Sequence, residues 1–283
     1  MLAGLCSLVV LDLSDCNLFE IPNHLISLSS LESLNLSGTM IETIPASLKQ
    51  VSGMYDLNLS NCKRLQSLPE LPFLIYNFDA HGCASLESVS RTAFTDRLDK
   101  YQIRNRYEEF ALSNCLNLDQ NGWSNVVTDA RLRIVRSATA SLLLKDDNYE
   151  SRRTPSVTIL WQGNEIPKWF NYQNEGSSIH IKLPPNWCDI NFLGFAVCIN
   201  FLGFAVCMVV SFNNCTGEWD LHFRCESQFK SDSGESYESN CCLYGWGRGK
   251  SRTRVINSDH VLMWYDLRLY INAVKEKEGK KFV

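Results

Sequence analysis

Four times between residues 8 and 83 the chain repeats one spacing of apolar side chains. Leu8, Leu11, Leu13 and Cys16 stand at offsets of zero, three, five and eight. Leu31, Leu34, Leu36 and Thr39 repeat those offsets, as do Met54, Leu57, Leu59 and Cys62, and then Ile75, Phe78, Ala80 and Cys83. From Leu8 to Leu31 to Met54 to Ile75 the steps are 23, 23 and 21 residues. Such a period belongs to solenoids, in which each unit buries its apolar side against its neighbours. The apolar pair two residues apart alternates as a strand does, sending both members inward and the residue between them outward. The Cys or Thr three residues later enters the core at a turn where only a small side chain fits. An amphipathic helix is excluded, because a three-then-two spacing does not sustain the 3.6-residue period.

This spacing and period are those of leucine-rich repeats, and they predict a short α/β solenoid over residues 1–91. Ile21-Pro22 and Ile44-Pro45 close its convex side, where proline ends a regular ladder. Stacked strands make a concave sheet whose outward residues form an extended binding surface. Those residues are Val10, Asp12, Ser14 and Asp15, then Ser33, Asn35 and Ser37, then Asp56, Asn58 and Asn61, then Asn77, Asp79 and His81. The face is polar, slightly acidic and short. No cap precedes Leu8, so the array is expected to be a piece of a longer one. Phe110, Leu112, Cys115 and Leu118 read as one last degenerate repeat that closes the other end. Residues 129–144 have helical composition, and the polar stretch 145–155 ends it.

From Ser156 onward strands dominate: VTILW, SSIHIKL, FLGFAVC, CMVVSF, WDLHFRC and HVLMWYDL. Turn formers such as Gly163-Asn164, Asn174-Glu175-Gly176 and Pro184-Pro185-Asn186 separate them. Short strands at near-regular spacing predict an all-β sandwich or jelly roll over residues 156–272. A connector, 92–155, precedes it and a charged tail, 273–283, follows. Residues 224–252 read as a long, mobile hydrophilic loop, a place where recognition often resides. Residues 191–199 (NFLGFAVCI) and 200–208 (NFLGFAVCM) are a nine-residue tandem duplication. Nine is odd, so a continuous strand would turn the second copy to the opposite face. One copy is therefore expected to be displaced, as a bulged loop or an additional edge strand.

Several function classes lack support. A net charge of −4 gives no electrostatic footprint for nucleic acid or an anionic membrane. The basic tail at 275–281 carries glutamates as well and reads as a solvated end. Twelve cysteines without one C-x-x-C pair read as reduced structural residues rather than a zinc site or a disulfide scaffold. Residues 192–212 are uncharged and long enough to cross a bilayer. They are a strand-like segment written twice, however, so no membrane helix is expected. The apolar start reads as repeat rather than secretion signal, and the sequons at Asn35, Asn58 and Asn214 matter only in a secreted chain. Gly249-Lys250-Ser251 lacks the earlier glycine of a phosphate loop, since Tyr244 stands there. Neither G-x-S-x-G nor H-E-x-x-H occurs, and His24, His81, His180, His222 and His260 are scattered. No catalytic, cofactor or metal site is expected. Trp161, Trp169 and Trp187 read as anchors of the sandwich core, with an aromatic ligand platform as the alternative.

One resemblance is specific. Gly163-Asn164-Glu165-Ile166-Pro167-Lys168-Trp169-Phe170, Gly176-Ser177-Ser178-Ile179, Leu183-Pro184-Pro185-Asn186-Trp187 and Gly194-Phe195-Ala196-Val197-Cys198 follow one another in that order. Together they resemble the post-repeat domain of plant TIR-type nucleotide-binding leucine-rich-repeat receptors, the C-terminal jelly-roll/Ig-like domain (C-JID). Ser258-Asp259-His260-Val261, Ser113-Asn114-Cys115 through Leu118-Asp119, L-P-E-L-P at 68–72 and Asp79-Ala80-His81-Gly82-Cys83 fit the same family, so the resemblance covers nearly the whole chain. In that family the repeats and the C-JID together bind a pathogen effector, or guard a host protein, and release autoinhibition. A TIR domain there hydrolyses NAD, and a nucleotide-binding domain drives oligomerisation. This sequence departs from the family in lacking both, and residues 275–283 take the place of its final strands. The resemblance thus implies a protein-recognition module in the cytoplasm or nucleus, truncated or paired with a full-length TIR-type receptor. The alternative is a glycan-binding β-sandwich on a repeat stalk, for which the tryptophans are the support.

Overall fold

Each repeat contributes one short strand: β1 (Val10–Asp12), β2 (Ser33–Asn35), β3 (Asp56–Asn58) and β5 (Asn77–Asp79). They pair in parallel with Leu11, Leu34, Leu57 and Phe78 in register, so the repeat spacing becomes one apolar row, half-buried at Leu11 and buried from Leu34 onward. The structure, a computed structural model, describes residues 7–22, 25, 28–92, 107–143, 156–170, 173–176, 180, 204–217, 221–230, 236–246 and 254–266. Strand β7 (Tyr107–Leu112) continues the ladder, with Phe110 beside Phe78. The degenerate repeat at Phe110 is therefore a fifth stacked unit.

The turn after each strand repeats in atomic detail. Asp15, Gly38, Asn61, Gly82 and Asn114 occupy equivalent positions, all with φ between 58° and 71°. Only glycine, asparagine and aspartate adopt this left-handed backbone readily. A side chain at Gly82 would also meet the Asn61 Oδ1 at 2.8 Å. The backbone N–H groups of Asp15, Gly38, Asn61 and Gly82 donate to Ser37, Ser60, His81 and Ser113 of the next unit at 2.7–2.8 Å. The small residue that follows bonds backward. The Cys62, Cys83 and Cys115 thiols donate to the Leu36, Leu59 and Ala80 carbonyls of the preceding unit at 3.1, 3.1 and 3.3 Å. Burial pushes all three thiols up, Cys115 to about 12, so they remain protonated donors.

On the convex side β4 (Ser67–Leu68) and β6 (Ser88–Val89) form a second, two-stranded parallel sheet, and Ala46–Gln50 is a 3-10 helix behind Pro45. A helix, α1 (Gln120–Leu143), then packs over the array; its first turn lies well before the expected start at residue 129. Asn121 and Gly122 are poor helix formers, but the Asp119 carboxylate accepts the Gly122 N–H at 2.6 Å and caps that turn. Val126, Ala130, Arg133, Ile134, Ser137 and Ala138 form its buried stripe at helical spacing. Arg133 bonds Glu108 at 3.0 Å and the Ile75 carbonyl at 3.1 Å, and its guanidinium stands 3.5 Å from the Phe110 ring centre. This ion pair is buried on both sides, and it fastens the helix to the fifth unit.

The C-terminal half begins by extending the repeat sheet. Strand β8 (Ser156–Gln162) pairs in parallel with β7, β12 (Arg254–Asp266) runs antiparallel to β8, and β9 (Phe204–Gly217) antiparallel to β12. One eight-stranded sheet, ordered β1-β2-β3-β5-β7-β8-β12-β9, spans both halves. The structure is thus mostly β, with a parallel repeat sheet, and its topology among the described residues does not amount to the expected jelly roll. The expected strands at 177–183 and in the first duplicated copy lie almost wholly outside those residues.

One expectation is overturned. Much of residues 224–252 is not loop: β10 (Leu221–Lys230) and β11 (Ser236–Trp246) form an antiparallel hairpin. Its polar composition hides a period of two, with Arg224, Glu226 and Gln228 exposed while Phe223 and Cys225 are half-buried. Phe223 and Cys225 pack against a cluster of Ala111, Leu160, Ile256, Leu262 and Trp264. That cluster lies on the opposite face of the sheet from the repeat core, so the sheet is apolar on both sides at this end. Of the duplication, Phe204–Met208 of the second copy are built into β9, the last strand of the sheet, while residues 191–203 lie outside the described residues. No helix among the described residues is long and apolar enough to cross a membrane.

Candidate functional site

The parallel ladder gathers Asp12, Ser33, Asn35, Asp56, Asn58, Asn77 and Asp79 onto the sheet face opposite the leucine core. All seven are exposed or half-buried. They are tied to one another rather than merely solvated. Asp56 accepts from the Ser33 hydroxyl at 2.9 Å and from the Asn77 amide at 2.7 Å, and Asp12 accepts from the Asn35 amide at 3.0 Å. The same row shapes the turns: Asp12, Asn35, Asn58 and Asp79 accept the N–H two residues on, from Ser14, Ser37, Ser60 and His81, at 2.9–3.1 Å. An Asx or carboxylate at this position is thus part of the repeat's framework as well as its surface.

Of the other six residues assigned to this face, Val10 is exposed on β1, and Ser14, Asp15, Ser37, Asn61 and His81 lie in the turns beyond the strands. Asp15 and Asn61 hold the left-handed position. Ser14 is half-buried and Ser37 is buried. His81 differs most from its expected outward placement: it is 4% exposed and its Nδ1 lies 2.7 Å from the Ser113 hydroxyl of the fifth unit.

Sequence reasoning passed over two tyrosines. Tyr55 and Tyr76 precede β3 and β5, and their rings stack 4.9 Å apart with planes 5° from parallel. Partial burial, then the Glu32 and Asp56 carboxylates, push the Tyr55 hydroxyl up, and that hydroxyl bonds Glu32. The available signal was a tyrosine just after the first apolar position of two successive repeats. Glu109, in register with Asn77, adds a further carboxylate. On β1, β2, β3, β5 and β7 the outward charged residues are Asp12, Asp56, Asp79 and Glu109, all acidic. The face is bounded where Ala111 and Leu160 replace its polar residues and the hairpin covers them.

A second junction holds that boundary. His260 of β12 is fully buried; its Nε2 accepts the Asn114 N–H at 3.3 Å, and its Nδ1 donates to the Ser258 carbonyl at 3.2 Å. Burial holds its pKa below the usual imidazole value, so it stands as a neutral acceptor for the fifth unit's turn. Of the tryptophans, Trp161 is buried in the core, Trp169 is half-buried and stacks on Phe170 at 4.2 Å, and Trp187 lies outside the described residues. Among the described residues no group of His, Cys, Asp or Glu could hold a metal ion.

Comparison with known proteins agrees with this architecture. Residues 7–28 and 30–51 match the leucine-rich-repeat family model, and residues 161–200 match the C-JID domain. The C-JID match ends at Asn200 and so takes in the first duplicated copy, whereas β9 is built from the second. The chain therefore carries leucine-rich repeats and a C-JID segment. It is homologous over most of its length to the C-terminal region of plant disease resistance proteins. In Arabidopsis thaliana it is 34% identical over 268 residues to disease resistance protein RPP2B, covering 90% of this chain and 20% of that protein. It is 34% identical over 269 residues to disease resistance-like protein DSC1, covering 93% and 21%, and 28% identical over 222 residues to disease resistance protein RPS4B, covering 78% and 18%. The chain thus spans about a fifth of the length of these relatives.

Proposed function

We propose that this chain is a protein-recognition module of a plant intracellular immune receptor, binding a pathogen effector or a guarded host protein through the open face of its repeats. Its working place is the cytoplasm or nucleus, and its signalling is supplied by a full-length TIR-type receptor or by the rest of its own protein. The observation that carries the reading is the division of one sheet. Its polar, acidic part is left open beside two stacked tyrosines, while its apolar part is covered by the hairpin. Carboxylates and aromatic rings on a rigid scaffold suit a partner presenting arginine or lysine side chains. The role is recognition rather than catalysis, and incubation with NAD or ATP is expected to give no turnover above buffer. The glycan alternative loses support, because Trp161 is buried rather than part of an aromatic platform.

The test neutralises the face without removing its turn caps. Asp12→Asn, Asp56→Asn and Asp79→Asn together delete three charges and keep one acceptor oxygen at each position, enough for the turn bonds to Ser14 and His81. Binding to any effector or host protein that the unaltered chain captures is expected to weaken by about tenfold or more, equivalent to about 1.4 kcal/mol. The thermal midpoint is expected to stay put. Unchanged affinity would remove the open face from the binding site.

A further inference from the structure

The hairpin sets two cysteines opposite each other. Cys225 of β10 pairs directly with Cys241 of β11, between the pairs Arg224↔Cys242 and Glu226↔Asn240. Directly opposed residues of an antiparallel ladder share one face, with Cα atoms about 4.5–5.5 Å apart. A disulfide spans Cα separations of about 4.4–6.8 Å, so this register satisfies its first geometric requirement. Cys225 is a free, half-buried thiol on the hairpin face that packs against Leu160, Leu262 and Trp264. Cys242 follows Cys241 directly and pairs with exposed Arg224, which places it on the other face of the hairpin. Two cysteines at one register position thus differ in kind from the repeat cysteines, whose thiols are spaced along the ladder and donate to carbonyls.

We propose that Cys225 and Cys241 are a redox modification site, closing to a disulfide that staples the hairpin and reopening under reducing conditions. The co-reactant is a small-molecule disulfide such as glutathione disulfide. One cysteine, as thiolate, attacks it, forming a mixed disulfide and releasing one glutathione thiolate. The second cysteine, as thiolate, then displaces the remaining glutathione. Two protein thiols are oxidised to one disulfide, one glutathione disulfide is reduced to two glutathione molecules, and the two thiol protons pass to them. Burial and the neighbouring Glu226 carboxylate push the Cys225 thiol up, so closure quickens as pH rises above neutral. Closing the loop between these positions restricts the unfolded chain and raises the temperature at which the hairpin opens. The site depends on the hairpin register alone and is independent of the recognition role of the repeats.

The full chain carrying Cys242→Ser, which removes the adjacent competitor, is incubated with glutathione disulfide, alkylated and digested without reduction. The expected product is a Cys225 peptide linked to a Cys241 peptide, lighter by two hydrogen atoms and separated again by dithiothreitol. Adding Cys225→Ser or Cys241→Ser is expected to abolish the link while far-ultraviolet circular dichroism stays unchanged. Should both cysteines alkylate fully after oxidation of the folded chain, or should Cys225 be recovered linked to another cysteine, the proposal is wrong. A variant that loses its folded signal is replaced by Cys225→Ala or Cys241→Ala, read in the same way.

Discussion

The two ends of the single sheet share a backbone ladder and differ in what stands on the face away from the leucine core. From β1 to β5 that face carries Asp12, Asn35, Asp56, Asn58 and Asp79, bonded to one another and to the turns. From the end of β7 onward it carries Ala111, Leu160, Leu262 and Trp264, and the hairpin packs against that cluster. The core face is apolar apart from the buried Glu108, which meets Arg133 of the helix. Exchanging a polar residue for a large apolar one at the outward positions thus decides whether the sheet stays open or acquires a second layer. The ladder beneath tolerates either choice.

Truncating a side chain at the covered end tests this contrast most severely. Trp264→Ala is expected to cost roughly 3–5 kcal/mol in urea unfolding, since the ring is fully buried. Asp12→Asn on the open face is expected to stay within about 0.5 kcal/mol. Equal costs would mean that the hairpin does not cover Trp264. Trp264→Phe is expected to be milder than Trp264→Ala, because the indole Nε1 is buried without a hydrogen-bond partner among the described residues.

The helix seat comes next. Arg133→Met leaves the Glu108 carboxylate buried without its cation, a change expected to cost about 3 kcal/mol. Adding Glu108→Gln is expected to recover most of that loss, and a double variant no more stable than Arg133→Met would argue against the pair. Smaller again is the acid sensitivity of the boundary. The folded pKa of His260 lies below its unfolded value of 6.5, so the unfolded chain takes up the proton first as pH falls. The stability from neutral His260 is complete above the unfolded pKa and is lost as pH falls through the folded one. His260→Gln is expected to flatten the fall of the thermal midpoint between about pH 7 and pH 5; an unchanged slope would assign that acid loss to other groups. Least in size, deletion of residues 191–199 is expected to raise soluble yield and, by a few degrees, the thermal midpoint. Lower values for both would show that the first copy belongs to the core.

Much of the repeat half was legible because its determinants are local. A spacing of three, two and three residues names the buried positions, and Phe110, Leu112 and Cys115 could be matched by the same rule. The left-handed position was equally open to reading, since Asp, Gly, Asn, Gly and Asn succeed one another there. What escaped depends on distant partners. Nothing near Ser156 announces that β8 will join the repeat ladder in parallel. Arg133 and Glu108 look like solvated charges until the helix lies over β7. His81 looks like a surface residue until the fifth unit brings Ser113 against it. The hairpin escaped for a different reason: its outward row is so polar that composition masks the alternation beneath. For the open face, sequence supplied the strand residues but not the tyrosine stack or the bonds that Asp12 and Asp56 accept from Asn35, Ser33 and Asn77.

The passage from β7 to β8 has a practical meaning for anyone dissecting the protein. Tyr107 to Leu112 pair residue for residue with Ser156 to Trp161, although about forty residues of chain separate them. A plasmid encoding the repeats alone, cut in the connector, would leave β7 as a bare rim; one encoding the remainder would leave β8 as another. Each half would then carry a long unsatisfied row of amides and carbonyls next to apolar side chains, a template for sticking to its own copies. Co-expressing the two pieces, so that each shields the other's rim, is the form in which a split version of this chain is expected to remain soluble.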